Sequence, residues 1–559
     1  MGAERFIALR SDVSPISGGN FVIRHPLNGR THCIPPEQAD ILTVCSNLAS
    51  LQQIKAALGQ QGWESFDFLS GSIAELSALD LLWSESRILE PGDAAPSTVA
   101  STTIAFVTHN RSTLLARALE SYLASAETVQ RILVVDDSTD GIAAKENQEI
   151  VKGISNPRAI AQYFGPKQRT EFKTKLIQKG MDPDLVEFAL GDSRNRGYAV
   201  GASRNATLLL APGTLISCDD DSFLPGLRSE DSLVLRSGPH LNEIKLYSAE
   251  EALPHATVSI DIAKEHQSVI GLTYAEIRKS FSAASIDTIT QDLLCAILSQ
   301  GRVLASVAGS VGDAGADSAA FALGNPPAPG DEAFRREDVY RRRLIDRRML
   351  RMPEGLVLTE SPLFVAMNSA LANHFPLPPF PPTGRNQDGV FGHVLRIVFP
   401  NSLIAHLPCA VSHEPEGERK WDAAALYSPK LRSAEVLLLC IQFFSSRIVS
   451  MDPLSRMKQL GQLLSSLGAE DANSFQSFVA ERWLISLGQY IGYLESVLRQ
   501  RGSRPAFWAE DVERRIQSFE STLATSDLQL PTAEDDRTNL AMYGKLLQAW
   551  PEIREIASG

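Results

Sequence analysis

The chain is poor in cysteine. Six (Cys33, Cys45, Cys218, Cys295, Cys409 and Cys440) are scattered through 559 residues with no CxxC pair. That excludes a zinc ribbon and a disulfide framework and suits a reducing compartment. Long apolar runs are missing too. The longest, AEVLLLCIQFF at Ala434–Phe444, is about half of what a bilayer span requires, so it reads as a buried helix and no integral membrane segment is expected. The first residues, MGAERFIALRSD, have no basic stretch ahead of an apolar one, so no secretory signal is expected and the expected location is cytoplasmic. There is no excess of positive charge: 53 Lys and Arg against 66 Asp and Glu leave a formal net charge of −13. Phosphate backbones need a clustered basic surface, so no nucleic acid partner is expected. No internal repeat is visible. What is present, 44% hydrophobic and 21% charged residues, is the composition of a folded chain, and the length suits about three or four domains.

The pattern along the chain separates three parts. Residues 1–90 open with short extended patches (Phe6–Arg10, Phe21–His25, Arg30–Ile34). Helical patterns follow after Pro35–Pro36, around Leu51–Leu58 and at Ile73–Trp83, a small winged-helix-like unit. Residues 91–102, rich in Pro, Ala, Ser and Thr, read as a linker. In 103–427, apolar runs at Ile104–Val107 and Ile132–Val135 flank a helical pattern at Ser112–Ala126, with Ser112 as its N-cap. A helix at Gly201–Leu210 leads to a third run at Thr214–Ser217. Continuous apolar strands alternating with amphipathic helices predict an α/β domain with a mostly parallel, Rossmann-like central sheet. Residues 428–559 read as an all-α domain, with a long helix starting at a Ser474 cap and further helices at Phe507–Leu523 and Arg537–Ile556.

Parallel sheets bind ligands beyond the carboxyl ends of their strands, and those ends are polar here. The first ends Thr108-His109-Asn110-Arg111, the second Asp136-Asp137-Ser138, the third Cys218-Asp219-Asp220-Asp221. Three adjacent carboxylates repel unless a cation neutralises them, and oxygen-rich sites suit Mg²⁺ or Mn²⁺. A solvated acidic turn is the alternative. In NRGYAVGASRN (Asn195–Asn205) the glycines let backbone approach a ligand, and Arg196 and Arg204 suit a diphosphate.

The run IAFVTHNRSTLLARALESYL, then ILVVDDSTD, then RGYAVGASRNATLLLAPGTLISCDDD resembles the nucleotide-sugar half of a GT-A fold, family 2-like glycosyltransferase. The resemblance implies that Thr108, Asn110, Arg111 and Asp136 or Asp137 line a nucleoside pocket, and that Arg204-Asn205 hold the nucleotide. It implies that Asp219–Asp221 are the metal-binding DxD motif, with Asp221 favoured as the direct ligand. Two later pieces match as well. PPTGRNQDGVFG (Pro381–Gly392) resembles the acidic segment at the acceptor helix, which implies Asp388 as catalytic base. AHLPCAVSHEP (Ala405–Pro415) implies a histidine completing the metal site, His413 first and His406 second. No QxxRW-like motif is present, which argues against a processive polymer synthase. The expectation is a hexosyltransferase-type, inverting enzyme using a nucleotide-diphosphate sugar, UDP-sugar favoured, with Mn²⁺ or Mg²⁺.

FIALRSDVSPISGGNFVIRHPLNGRTHCIPPEQADILTVCSNLASLQQIKAAL resembles a PqqD-like domain, which implies recognition of a ribosomally made peptide and hence a peptide acceptor. A structural role for this unit with a polysaccharide or lipid-linked glycan acceptor, and a catalytically silent sugar-nucleotide or peptide-binding module, remain open alternatives. Eight arginines crowd Arg335–Arg351. They read either as a solvated helix paired with Glu337, Asp338 and Asp346 or as contacts to an anionic acceptor or a phosphate. Gly309–Ser318 and Gly324–Glu332 read as mobile loops.

Overall fold

The computed structural model describes residues 4–59, 66–90, 92, 101–124, 128–155, 159–192, 199–238, 241, 243–248, 251, 257–417, 419–500, 502–524 and 533–558. Most of the expected linker at 91–102 lies outside them.

Residues 4–90 carry a core of their own, including Ile23, Ile41, Ile54 and Leu76. Strand β1 (Arg5–Ala8) lies between β5 (Ala49–Ser50) and β6 (Leu82–Ser84), while β2 (Val13–Pro15), β3 (Phe21–Arg24) and β4 (Thr31–Ile34) form a second antiparallel sheet. Helices α1 (Pro36–Val44), α2 (Leu51–Gly59), α3 (Phe66–Ala78) and α4 (Glu85–Leu89) complete the unit. The helix expected to reach Trp83 stops at Ala78. Asp80 turns left-handed at φ 58°, the Leu81 N–H donates to the Leu76 carbonyl, and Trp83 pairs opposite Ile7 in β6. The unit is fastened to the rest: Arg10 pairs with Asp292 at 2.8 Å, and Ile7, Leu9 and Ile88 join the main core.

Among the described residues the central sheet has thirteen strands. They are β7 (Thr102–Thr108), β8 (Arg131–Asp136), β9 (Ile160–Phe164), β10 (Thr214–Asp219), β11 (Ser222–Arg228), β12 (Leu233–Arg236), β13 (Glu243–Tyr247), β14 (Ala284–Thr288), β15 (Val303–Asp313), β16 (Arg348–Met352), β17 (Leu356–Thr359), β18 (Asn368–Ala372) and β19 (Leu403–His413). The order β10-β7-β8-β9 is parallel throughout. Beyond it β18 runs antiparallel to both β10 and β15, and the far half is mixed. Strands β7, β8 and β10 are almost wholly buried because helices cover them, while the edge strand β9 is mostly half-buried; the helices are α5 (Ser112–Leu123), α6 (Gly141–Lys152), α7 (Pro166–Gln178), α8 (Pro183–Leu190) and α9 (Val200–Leu210). The later helices are α10 (Ile262–Gln267), α11 (Tyr274–Arg278), α12 (Gln291–Leu298), α13 (Glu332–Arg335), α14 (Glu337–Arg343) and α15 (Gln387–Val398). Register aligns the strand ends. Thr108 sits opposite Asp136, and Val107 opposite Asp219.

The C-terminal helices are α16 (Ser433–Ser445), α17 (Pro453–Ala469), α18 (Ala472–Arg499), α19 (Ala506–Leu523) and α20 (Ala533–Ser558). Val436, Leu460 and Trp550 share the main core, whereas Leu487, Leu494 and Trp508 pack with Leu323 and Tyr340 in a second cluster. The cap of α18 is Asp471, which accepts from the Asn473 and Ser474 N–H groups, so Ser474 lies inside the first turn. Ser112 is likewise inside α5, whose cap position is Arg111.

Candidate functional site

The carboxyl ends of β7, β8 and β10 open into a cleft of about 1,080 Å³. At its centre the three aspartates meet three different partners. Asp219 Oδ1 accepts from Arg204 Nη2 at 2.7 Å. Asp220 Oδ2 accepts from Thr108 Oγ1 at 2.7 Å, and its Oδ1 pairs with Arg111 Nη2 at 2.5 Å. Asp221 Oδ2 accepts from Arg111 Nη1 at 3.0 Å, and its Oδ1 stands 3.4 Å from His413 Nε2. Burial pushes Asp219 up against the pull of Arg204, and pushes Asp220 up to about 7 against Arg111. Burial would raise Asp221 too, but His413 and Arg111 outweigh it and hold this carboxyl well below the usual range. Asp221 is therefore the one of the three whose charged form its surroundings favour over the usual carboxylate, and it lines the cleft.

A buried polar network holds this turn. Tyr122 donates to Ser222 Oγ at 3.0 Å, and Ser222 donates to the Asp219 carbonyl at 2.8 Å. Asn368 Nδ2 lies 3.3 Å from both Tyr122 Oη and Cys218 Sγ. His266 donates from Nε2 to Asn368 Oδ1 at 2.9 Å and accepts at Nδ1 from Ser306 Oγ at 2.7 Å. The tautomer follows from these partners. Every member is buried, and a satisfied buried network specifies one geometry. Sequence patterning missed Asn368 and His266 because neither stands in a motif and they meet only across β10, β18 and α10.

The expected nucleoside residues divide. Thr108 and Asp137 line the cleft, with Asp137 beside His109 at 3.0 Å. Asp136 is fully buried and accepts from the Ser138 N–H, Asn147 and Tyr163 at 2.7–3.0 Å. Asn110, left-handed at φ 55°, binds Thr139 and the Asp140 N–H and so ties the loop after β7 to the loop after β8. Arg204 lines the cleft, whereas Asn205 is turned away and holds Ala189 and Phe380 backbone at 2.7–3.1 Å. Arg196 lies outside the described residues. Arg169, unremarked in the sequence because α7 has a mostly polar pattern, is buried in the cleft wall and donates to the Leu190 carbonyl and Ser203 Oγ at 3.0–3.1 Å.

The opposite wall is built around α15. Asp388 lies in its first turn, accepts from the Ala366 N–H at 3.2 Å and its neighbour's N–H at 3.0 Å, and lines the cleft. The chain before it is held from two sides. From α9, the Ala202 N–H donates to the Pro382 carbonyl at 2.9 Å. A Cβ on Gly201 would lie 1.9 Å from the Pro381 carbonyl, so only glycine permits that approach. From α20, Tyr543 Oη and Trp550 Nε1 donate at 2.9 Å to the Pro379 and Leu377 carbonyls. The C-terminal helix thereby positions the loop that carries Asp388.

His413 ends β19. Its Nδ1 donates to the Asp313 carbonyl at 2.6 Å, which leaves Nε2 to face Asp221. His406, the second choice from sequence, lies in the core on the same strand, pushed down to about 3 by burial and by Arg351, and does not reach the site. Gly309–Asp313, expected to be a mobile loop, belongs to the buried strand β15. Gly312 sits opposite His413, and a Cβ there would meet the His413 carbonyl at 2.3 Å, so the glycine serves strand approach. Arg347 fixes the strand end through a two-pronged 2.9 Å pair with Asp313.

Among the described residues no group of three or more His, Cys, Asp or Glu stands close enough together to hold a metal ion. The chemistry of Asp221 and His413 is compatible with one: the carboxylate is held ionised, and the Nδ1 bond to Asp313 turns the imidazole Nε2 inward toward Asp221. Two protein ligands suffice where a hard cation takes the rest from phosphate and water.

No family model and no curated protein matches the chain. The likenesses found are to solved structures. The mannosyltransferase PcManGT from Pyrobaculum calidifontis, in complex with GDP-Man and Mn²⁺, is 11% identical, covering 92% of this chain and 99% of its own, at a TM-score of 0.25. S. aureus TarS 1–349 is 10% identical over 76% and 90% of the two chains at 0.27. S. aureus TarS itself is 11% identical over 76% and 55% at 0.26. TM-scores of this size carry no argument about activity.

Proposed function

We propose that the protein is a metal-dependent, inverting glycosyltransferase that moves a sugar from a nucleotide-diphosphate donor, a UDP-sugar in first place. One observation carries this reading. Asp221, His413 and Asp388, drawn from β10, β19 and α15, line one cleft beyond the carboxyl ends of a parallel sheet. The N-terminal unit, read as PqqD-like, favours a peptide acceptor over a glycan.

In this reading Asp221 and His413 hold a divalent cation, which when bound neutralises charge on the departing diphosphate. Arg111 keeps Asp221 ionised and oriented, and Arg204 fixes Asp219. Asp388 accepts the proton of the acceptor nucleophile as its bond to the anomeric carbon forms. The bond from that carbon to the diphosphate oxygen breaks in the same displacement, so the electron pair leaves with the nucleoside diphosphate and the anomeric centre inverts. Thr108 and Asp137 line the end where the nucleoside lies. Calorimetric titration of UDP and GDP, with and without Mn²⁺, tests the donor assignment; absence of binding by either would favour a silent module.

A further inference from the structure

The eight arginines of 335–351 resolve into three groups. Five are paired: Arg336 with Glu332, Arg341 with Asp511, Arg342 with Asp338, Arg343 with Glu251 and Asp331, and Arg347 with Asp313. Arg335 and Arg348 are exposed to water. Arg351 belongs to neither group. It is partly buried on β16, lines the cleft, and has no ion pair or side-chain hydrogen bond among the described residues. It shares that cleft with Asp388; burial lowers its pKa, and the charge of Asp388 opposes that effect. A partly desolvated guanidinium without a carboxylate partner is less favourable than a paired one, and five of its neighbours in sequence have found carboxylates. The cost is removed if a ligand brings an anion.

The donor side of the cleft does not need Arg351 for this, because Arg111 and Arg204 stand there at Asp219–Asp221. Arg351 lines the cleft together with Asp388, the residue read as the base that meets the acceptor. Three further arginines line the same cleft: Arg385, Arg419 and Arg432. Arg385 and Arg432 both pair with Asp317, and Arg432 also pairs with Glu435, so these two arginines have carboxylate partners where Arg351 has none.

We propose that Arg351 binds a carboxylate or phosphate group of the acceptor beside Asp388, so that the protein selects acceptors bearing an oxyanion. This rests on the glycosyltransferase reading. A guanidinium binds either group through charge-assisted, two-pronged hydrogen bonds.

The test is binding of one serine-containing peptide in a neutral, a glutamate-bearing and a phosphoserine-bearing form to the full chain with UDP and Mn²⁺ present, in the native protein and in Arg351→Gln and Arg351→Lys. One of the two anionic forms is expected to bind at least roughly tenfold tighter than the neutral form, and which one distinguishes a carboxylate from a phosphate site. Arg351→Gln is expected to abolish the preference and Arg351→Lys to restore part of it, with UDP affinity unchanged in both. Equal binding of all three peptides, a preference that survives Arg351→Gln, or a loss of UDP affinity in that variant would each overturn the proposal; the last would assign Arg351 to the donor. An Arg351-dependent preference in a protein that binds no nucleotide would keep the anion site and refute the glycosyltransferase reading.

Discussion

His266 couples the stability of the acid turn to pH. It is fully buried between Ser306 and Asn368. Burial pushes it down to about 4, more than the Asn368 hydrogen bond raises it, against about 6.5 in an unfolded chain. Between those values the unfolded chain binds the extra proton, so stability falls as pH drops through the window. The full difference is about 3 kcal/mol, and about 2 kcal/mol of it is lost between pH 7 and pH 5. The assay is urea unfolding of the native protein and of His266→Gln at both pH values. The variant starts less stable, because glutamine fills the site poorly, but its loss on acidification is expected to be about 2 kcal/mol smaller. His406 and the carboxylates titrate in both proteins and cancel. Parallel pH curves would refute the argument and place the imidazole's protonation outside this window.

Further outcomes test other parts. Asp388→Asn is expected to lower transfer about 10²–10⁴-fold, measured as nucleotide release with acceptor, while donor binding stays within about twofold. Gly201→Ala forces apart α9 and the Pro381 backbone; a drop in transfer larger than the drop in melting temperature explains is expected. Asp511→Ala strands Tyr340, Arg341 and Tyr427, which all bind that buried carboxylate. Denaturant titration is expected to show a loss of about 2–3 kcal/mol, below the 3–5 for a fully buried pair because Arg341 is partly exposed.

What sequence could and could not supply follows from range. β7, β8 and β10 are continuous apolar runs that can only be buried on both faces, and their polar ends mark the cleft. Asp388 and His413 stand out only through resemblance, since no local pattern separates a base from a helix-capping carboxylate. The Arg335–Arg351 run was ambiguous because pairing with Asp313, Glu251 or Asp511 is a long-range fact; the structure pairs five of the eight and leaves Arg351 facing the cleft. Gly309 and Gly312 looked like flexible loop because glycine for backbone approach and glycine for mobility are identical in sequence. The Ser474 and Ser112 caps failed by one to three residues, Asp471 and Arg111 taking the positions, since polar residues neighbour one another there.

The central claim is a nucleoside-diphosphate site that uses Asp221 and His413. Calorimetric titration of UDP into the native protein and into Asp221→Ala, each with and without Mn²⁺, tests it most directly. The account predicts binding that strengthens with Mn²⁺ in the native protein and loses that dependence in the variant. Binding that is the same in both proteins and indifferent to Mn²⁺ would contradict it.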